Sequence, residues 1–302
     1  MYRADSTGNP SGFTRMDSAD EPADVIGWSI AIDASNLIHA VYITRQDWDT
    51  TYSDAGCVAA AYYVTYNTTT DQWGSPEQIE ALADYVEYGQ GDELIGLALD
   101  TNGIPHVAYL RTDGTRRRVA YRNRVGGSWS AVATVDDQSF GANEQCWHPA
   151  IAFDDHGSIV VLWHRGTFNG TNTGRNFTRF YDTEWRTTYP LSASDIYCGI
   201  DTTSSFYVDR AGRYHVTYLS ATNKYIRYAY SDDHGDNWSA NNPGSGTATG
   251  DDPQVGPGAG TSVRVYAHGT DATPNITYWE GTGGAGEPAA SVDGGGVLSP
   301  SS

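Results

Sequence analysis

Apolar and polar residues alternate along most of the chain, and the alternation breaks repeatedly at an aspartate. A short apolar stretch leads to each break, and a second alternating stretch follows it and ends on an aromatic residue. The pattern recurs in segments that read SIAIDASNLIHAVY (29–42), GLALDTNGIPHVAY (96–109), AIAFDDHGSIVVLW (150–163) and SFYVDRAGRYHVTY (205–218), with a weaker copy in PGAGTSVRVY (257–266). A period of two is typical of strands that bury one face. Each segment therefore predicts two strands joined by a turn.

When the five segments are aligned, three positions, which we call columns, hold the same kind of residue in most copies. The first column is the aspartate, the second is glycine or asparagine, and the third is aromatic. The members are Asp33, Asp100, Asp154 and Asp209 with Pro257; Asn36, Gly103, Gly157, Gly212 and Gly260; and Tyr42, Tyr109, Trp163, Tyr218 and Tyr266. An aspartate accepts hydrogen bonds within its own turn, and glycine or asparagine adopts the positive φ that a tight hairpin needs. The columns therefore predict a β-hairpin in every copy.

Each hairpin is followed by a third, aromatic-rich strand and then by a tryptophan that opens a fourth. The third strands read AYYVTY, RRVAY, NFTRFY, YIRYAY and NITYW, and the tryptophans are Trp73, Trp129, Trp185 and Trp238. Tandem units of this kind predict an all-β fold, a β-propeller of four-stranded antiparallel blades. Five blades are expected, and six are the alternative. The stretch 77–88 fits a helix and a strand about equally.

The propeller is expected to span residues 1–280 as a single domain, with an N-terminal strand at about 11–17 (SGFTRMD) helping to close the ring. The stretch 287–292 (EPAASV) competes for the same position, and both cannot fill one slot. Residues 281–302 are rich in Gly, Ser and Pro, so we expect a loosely packed C-terminal segment.

The charge of the chain is strongly negative and has an unusual make-up. The formal net charge is −19, with 28 Asp against 9 Glu, and with 17 Arg against a single lysine, Lys224. Such a chain lacks the basic face that nucleic-acid binding needs. Dense short carboxylates with almost no lysine favour a surface that stays hydrated at high salt, so they indicate a halophilic source. A GC-rich genome is the alternative explanation for the exchange of Lys for Arg.

Several other features are predicted to be absent. No apolar run is long enough for membrane insertion, and the start MYRADSTGNPSG is not a signal peptide. We therefore expect cytoplasmic synthesis and, for a displayed protein, a place on a virion or an extracellular surface. Cys57, Cys146 and Cys198 fit no metal motif; three buried thiols, or a pair between the last two, are the alternatives. No metal and no cofactor are indicated.

The stretch YSDDHGDNWS (230–239) lies between the predicted third and fourth strands of the fourth unit. It resembles the Asp-box of sialidase-like and related BNR-repeat β-propellers, whose pattern is Ser-x-Asp-x-Gly-x-Thr-Trp. The matching residues are Ser231, Asp233, Gly235 and Trp238, with Asn237 in place of the threonine. The resemblance implies a structural turn that Asp and Ser cap, in which Gly takes a positive φ and Trp packs between blades.

Histidines recur six residues after the aspartate, at His39, His106 and His215, and valine takes this position in other copies. A strand position that alternates with valine indicates packing, not metal binding or catalysis. The aspartates of the first column are likewise expected to be turn residues.

Function is expected where the repeat is broken, on long loops at the face opposite the Asp turns. These loops span 44–57, 82–93, 136–148, 164–174 and 191–201. Aromatic rings stack on the apolar faces of sugars, and fixed polar groups bind the hydroxyls. The predicted ligand-binding residues are Trp48, Tyr85, Tyr88, Trp147, His148, Arg165 and Tyr197. The alternative is that the loops bury their own aromatics. His148 is the best single candidate because it has no counterpart in the repeat.

Catalysis has less support than binding. The arginine cluster and Arg-Ile-Pro motif that sialidases carry are not found, and the inner strands offer only turn aspartates to a glycoside hydrolase. A BNR-type polysaccharide lyase would use a His and a Tyr, which His148 and Tyr197 could supply. The sequence thus favours a carbohydrate- or receptor-binding propeller, a virion (tail or capsid) or surface attachment protein, with a glycan or glycosylated receptor as partner. The alternatives are a polysaccharide-degrading enzyme and a structural virion component that contacts other virion subunits or a second copy of itself.

Overall fold

The computed structural model describes most of the repeat-bearing part of the chain. The described residues are 24–46, 58–82, 94–113, 115–137, 139, 144–154, 156–167, 173–181, 183–186, 189–190, 196–197, 205–220, 225–240, 251–257, 262–268, 276–282 and 291–292. Within these ranges the secondary structure is entirely β, and no helix there could cross a membrane. The chain divides into two units, of which the first holds Met1–Asp136 with Cys146–Ile151 and the second holds Asp137–Gln145 with Ala152–Ser302.

The first unit contains two antiparallel sheets. The strands of the first sheet are β1 (Asp24–Ile32), β2 (Leu37–Gln46), β3 (Val58–Asn67), β4 (Gln72–Trp73) and β5 (Glu77–Leu82). They are ordered β1-β2-β3-β4, and β5 also pairs with β3. The strands of the second sheet are β6 (Ile95–Leu99), β7 (Pro105–Thr112), β8 (Arg117–Val125), β9 (Ser128–Trp129) and β10 (Ala133–Thr134). They are ordered β10-β8-β7-β6, and β9 also pairs with β8.

Three more sheets follow along the chain. The third holds β11 (Glu144–Phe153), β12 (Ile159–Thr167), β13 (Thr173–Tyr181), β14 (Tyr189–Pro190) and β15 (Ile196–Tyr197). The fourth holds β16 (Ser205–Val208), β17 (Tyr214–Leu219), β18 (Ile226–Ser231) and β19 (Ser239–Ala240). The fifth holds β20 (Asp251–Pro257), β21 (Ser262–His268), β22 (Ile276–Thr282) and β23 (Ser291–Val292). Each runs in sequence order, except that β15 pairs with β13.

The four Asp turns share one geometry, as the repeat predicts. The N–H of Asp154 donates to the carbonyl of Ser158 at 3.0 Å, and the N–H of Gly157 donates to the carbonyl of Asp154 at 3.1 Å. The Oδ1 of Asp154 also accepts from the N–H groups of His156 and Ser158, at 3.0 and 2.8 Å. The same bonds recur in the other three turns. The second-column residues all have positive φ: Asn36 63°, Gly103 75°, Gly157 78° and Gly212 77°.

The fourth strand differs from the prediction in the first three sheets. There the strand is divided into two short pieces that share one neighbour, so these sheets have five strands rather than four. Pro76 lies between β4 and β5, where its missing N–H interrupts the ladder. Trp185 forms only an isolated bridge with Tyr181. The undecided stretch at 77–88 is a strand from Glu77 to Leu82, and the rest of it lies outside the described residues.

Two segments, 11–17 and 287–292, were candidates for the strand that closes the ring. In the second segment, Ser291 and Val292 form β23 and pair with Trp279 and Tyr278 of β22. The other candidate, 11–17, lies outside the described residues. Most of the proposed C-terminal segment lies outside them as well.

The core is built on the second strand of each sheet. All six residues of β17 are buried, and so are the first six of β7. The aromatic of the third column lies within this strand, and it is deeply buried in three copies, with Tyr42 at 2%, Tyr109 at 0% and Trp163 at 1% exposure. In the fourth sheet, Tyr218 packs with Val216 and Ala229. The aromatic column of the repeat is therefore a core column in the first four sheets, whereas Tyr266 of the fifth is half-buried.

Candidate functional site

The structure describes part of the predicted ligand face. Trp147 and His148 lie on β11 and Arg165 lies on β12. Tyr197 is in β15, where it pairs with Thr173, and its side chain is not among those described. The other three predicted contacts, Trp48, Tyr85 and Tyr88, lie outside the described residues. Trp147 is half-buried.

His148 has an unusual backbone conformation. Its φ is +49°, although it stands within a β-strand. For a residue other than Gly, Asn or Asp this left-handed conformation costs on the order of 1 kcal/mol or more, and it is kept only where its surroundings hold it in place. Strain of this kind concentrates at functional sites. His148 is also 5% exposed, so the structure combines strain and burial at the predicted best candidate.

Burial controls the charge of His148. Loss of hydration, together with the nearby Arg117 guanidinium, lowers the pKa of His148 from 6.5 to about 4. Arg117 is itself only 3% exposed. The imidazole is therefore neutral at physiological pH, and it can donate one hydrogen bond and accept another.

A buried carboxylate lies at the other end of the same loop. Asp136 is 1% exposed, and its Oδ2 is 2.9 Å from the Nε of Arg118. Its Oδ1 accepts from the N–H of Val119 at 3.1 Å, and the Cys146 thiol lies 3.6 Å from Oδ2. Burial raises the pKa of Asp136 to about 6, although Arg118 and the hydrogen bonds act in the opposite direction.

We call Arg117, Arg118, Asp136, Cys146 and His148 the loop-side cluster. All five belong to the first unit, and they flank the predicted ligand loop 136–148. Buried titratable groups with shifted pKa values are typical of functional sites. Chemically, the cluster offers a neutral imidazole and a carboxylate that titrates close to neutral pH. Asp136 and Arg117 carry no distinguishing signal in the sequence, since their burial depends on contacts between distant strands.

Arg165 has a defined partner in the second unit. Its Nη2 lies 3.4 Å from the Oε2 of Glu144, and both side chains are mostly shielded from water. Both residues stand in or beside loops predicted to bind ligand. Such a pair presents a fixed donor and a fixed acceptor, the combination that selects sugar hydroxyls.

A cleft of about 480 Å³ lies elsewhere in the first unit. It is lined by the Asp33 turn, the turn at Gly103, and the side chains of His39, Glu77 and Arg124. The Nε of Arg124 is 2.8 Å from the Oε2 of Glu77. The lining aromatic, Tyr63, is 7% exposed, so the cleft lacks an open ring for a sugar.

The histidine of this cleft, His39, makes contacts with a tyrosine and with the turn aspartate that recur in another sheet. His39 Nδ1 is 2.8 Å from the Tyr63 hydroxyl, and its Nε2 is 3.5 Å from Asp33. In the fourth sheet, His215 is held in the same way by Tyr228 at 2.7 Å and by Asp209 at 3.2 Å. The three column histidines, His39, His106 and His215, are 4%, 7% and 0% exposed, as their packing role predicts.

The Asp-box stretch forms the turn between β18 and β19. The Ser231 hydroxyl donates to Asp233 Oδ1 at 2.8 Å and accepts from the N–H of Gly235 at 2.9 Å. Asp233 accepts from the backbone and the side chain of Asn237, at 2.8 and 2.7 Å. Gly235 has a φ of 91°, and the indole N–H of Trp238 donates to its carbonyl at 2.9 Å.

The Asp-box tryptophan packs between two sheets. Trp238 contacts a cluster formed by Leu162 of β12 together with Val216, Tyr218 and Ala229 of the fourth sheet.

No model of a known protein family matches the chain, and no curated protein matches it in sequence. Solved structures do resemble its fold. The BP39L lectin from Burkholderia pseudomallei is 14% identical with a TM-score of 0.55, over 88% of this chain and 69% of the lectin. The α-L-arabinanase of Penicillium chrysogenum, complexed with arabinobiose, is 13% identical with a TM-score of 0.53, over 90% and 82% of the two chains. A PL25 ulvan lyase bound to a GlcA–Rha3S saccharide is 11% identical with a TM-score of 0.54, over 88% and 69%.

These similar structures are β-propellers, and at such identities the likeness concerns the fold alone. The chain thus has an all-β fold of the propeller type. The comparisons do not single out the sialidase-like or BNR propellers among the propellers as a whole.

Proposed function

We propose that the chain is a carbohydrate-binding β-propeller, and that its ligand contacts lie on the loops next to the loop-side cluster. The observation that carries the proposal is His148, a buried residue with a strained backbone at the end of a predicted ligand loop. Structures of similar fold that bind or cleave saccharides support it. We further propose that the five antiparallel sheets are the five blades of this propeller.

The described residues supply the groups that sugar binding requires. Trp147 is half-buried and offers an indole for stacking on the C–H face of a pyranose or furanose ring. Within the second unit, Arg165 and Glu144 are a separate candidate contact: they are paired and offer a donor and an acceptor for hydroxyls. Receptor binding through a glycan uses the same groups.

The test is binding of the purified chain to an array of immobilised glycans, followed by titration of the best ligand. A stacked aromatic contributes about 0.5–1.5 kcal/mol beyond its buried area, so Trp147→Ala should weaken binding about two- to tenfold. Trp147→Phe should retain most of the affinity. The matched control is Trp28→Ala, which removes a tryptophan that is 47% exposed on β1 of the same unit. Equal losses in the two alanine variants would refute the assignment, as would binding to no glycan.

A polysaccharide lyase is the second candidate, supported by the PL25 ulvan lyase of similar fold and by a neutral His148 imidazole, which can accept a proton. A lyase product carries a new C=C bond, which ultraviolet absorbance detects during incubation with uronate-containing polysaccharides. His148→Asn is the informative variant, because Asn tolerates a positive φ. Turnover that disappears in this variant while binding persists would make the protein an enzyme. Binding without turnover in the unchanged protein would leave the lectin proposal in place.

We also propose display on a virion or another outer surface in a halophilic system. The support is compositional: 28 Asp, 9 Glu and one lysine in a chain of net charge −19. A structural virion component is the remaining alternative, and it predicts assembly with other virion subunits without glycan binding.

A further inference from the structure

Two turns of the second unit bring together the turn aspartate Asp154 and two histidines, His156 and His234, at positions that do not require histidine. Asp154 and His156 belong to the turn between β11 and β12, and His234 belongs to the Asp-box turn. The other Asp turns carry Ser35, Asn102 and Ala211 where this one carries His156. The turn itself is thus compatible with several residues at that position.

Only one of the two carboxylate oxygens of Asp154 accepts hydrogen bonds from the turn. Oδ1 accepts both turn N–H groups, at 3.0 and 2.8 Å. Oδ2 is buried and accepts no hydrogen bond from the residues that the structure describes, and the side chain is 0% exposed. A buried carboxylate oxygen without a hydrogen bond is costly and calls for a cation or a donor.

His234 is held next to this oxygen. Its φ is 58°, fixed within the Asp-box turn, and its Nδ1 is 3.4 Å from Asp154 Oδ2. The ring of His156 lies beside it, with centroids 5.9 Å apart at an interplanar angle of 67°. One ligand atom from each of the three side chains lies within 4.8 Å of the others. The Tyr214 hydroxyl is 3.4 Å from the same Nδ1 and would reorient when that nitrogen binds a cation.

We propose that Asp154, His156 and His234 bind a divalent transition-metal ion, and that Zn²⁺ fits best. Two imidazoles and one carboxylate form a donor set that zinc uses, with bonds of about 2.0–2.2 Å. In a tetrahedron of that size, neighbouring ligand atoms lie about 3.3 Å apart, close to the 3.4 Å between Nδ1 and Oδ2. The exposed ring of His156 can rotate to complete the site. Hard cations such as Ca²⁺ and Mg²⁺ prefer sites made of oxygen ligands.

Such an ion would join the third sheet to the fourth through their turns. It would also leave a fourth coordination position for water or a ligand group. The three residues of the site lie on turns, and none of them is among the glycan contacts proposed above. Its presence does not depend on the proposed function.

The test is titration of the tag-free, chelator-treated chain with Zn²⁺ by calorimetry, and with Co²⁺ by visible spectroscopy. We expect one Zn²⁺ per chain, a visible band typical of tetrahedral Co²⁺, and a Tm that rises with Zn²⁺. Changes in outer-shell residues already cost about 10–100-fold in metal affinity, so His156→Ser and His234→Asn should each weaken binding by more than about tenfold. Both variants should fold, since Ser35 occupies the equivalent turn position and Asn tolerates positive φ.

The matched control is the double variant Ser35→His/His156→Ser, which keeps the number of histidines but moves one to the first turn. It should bind Zn²⁺ as weakly as His156→Ser alone. Binding restored in the double variant, or unchanged in both single variants, would overturn the proposal. Absence of Zn²⁺ binding, or tighter binding of Ca²⁺ or Mg²⁺, would overturn it as well.

Discussion

At the scale of single residues, Asp233 shows how one side chain can hold a turn. It accepts hydrogen bonds from the Ser231 hydroxyl and from the backbone and side chain of Asn237. Burial alone would raise the pKa of Asp233, but the hydrogen bonds from Asn237 and Ser231 outweigh it and hold the pKa below its ordinary value. The carboxylate is therefore charged at neutral pH and caps the turn.

Asp233→Ala is expected to lower the free energy of unfolding by about 1–3 kcal/mol, because turn N–H groups lose their acceptor. Urea unfolding measures this. Asp236→Ala is the control, since this exposed residue of the same turn should change stability by less than about 0.5 kcal/mol. Glycan affinity of the folded variant should stay the same. Lost binding with unchanged unfolding would mean that the turn is a ligand site.

His148 gives a second residue-scale prediction, on pH. Its folded pKa is about 4 against an ordinary value of 6.5, so the unfolded chain binds the proton first as pH falls. The stability that the neutral imidazole contributes is complete above pH 6.5 and is lost towards pH 4. The loss is on the order of 3 kcal/mol.

The measurement is urea unfolding between pH 7.5 and 4 for the unchanged protein and for His148→Asn. Asp136 changes the free energy of unfolding in the opposite direction as pH falls. Its raised pKa of about 6 makes the folded state take up a proton before the unfolded state does. The difference between the two proteins isolates His148, and it should shrink as pH falls. Parallel pH profiles would show that His148 is not buried in the neutral form.

At the scale of elements, the Asp turn depends on one backbone conformation. Gly103 has a φ of 75°, and a Cβ added there would lie 3.8 Å from Asp33, an ordinary contact. The cost of a side chain is therefore conformational. Gly103→Ala should destabilise the protein by roughly 1–2 kcal/mol. Gly103→Asn should cost less, since Asn36 has a φ of 63° at the equivalent position. Equal losses in thermal unfolding would point to crowding instead.

The turns and core columns could be predicted because their chemistry is local. An aspartate followed by a glycine three residues later specifies the hairpin without help from other strands. The division of the fourth strand was harder to predict from the sequence. Trp73 and Trp129, which were expected to open a continuous strand, instead end strands of only two residues. The sequence alone could not predict that Asp136 is buried or that His234 lies close to Asp154. Both depend on which strands and turns become neighbours, and alternation along one strand does not contain that information.

At the scale of the whole molecule, the likeness to known propellers extends over most of the chain, while sequence identity is only 11–14%. Such a fold needs alternation, turn chemistry and aromatic core columns, and many sequences satisfy these requirements. Function is carried by loops, which are free to vary. The likeness therefore concerns the fold, and variants of loop residues such as Trp147 are needed to test the proposed ligand binding.

The charge of the whole molecule gives the last prediction. A net charge of −19 with a single lysine implies strong self-repulsion when screening is weak. The screening length falls from about 10 Å at 0.1 M salt to about 3 Å at 1 M, so added KCl should relieve this repulsion. We expect the Tm to rise substantially between about 0.1 and 2 M KCl. Sucrose at matched osmolality is the control, because it strengthens burial by exclusion without screening charge. A Tm that is flat in KCl, or that rises equally in sucrose, would remove the halophilic proposal, since the acidic surface would then have no salt-dependent role.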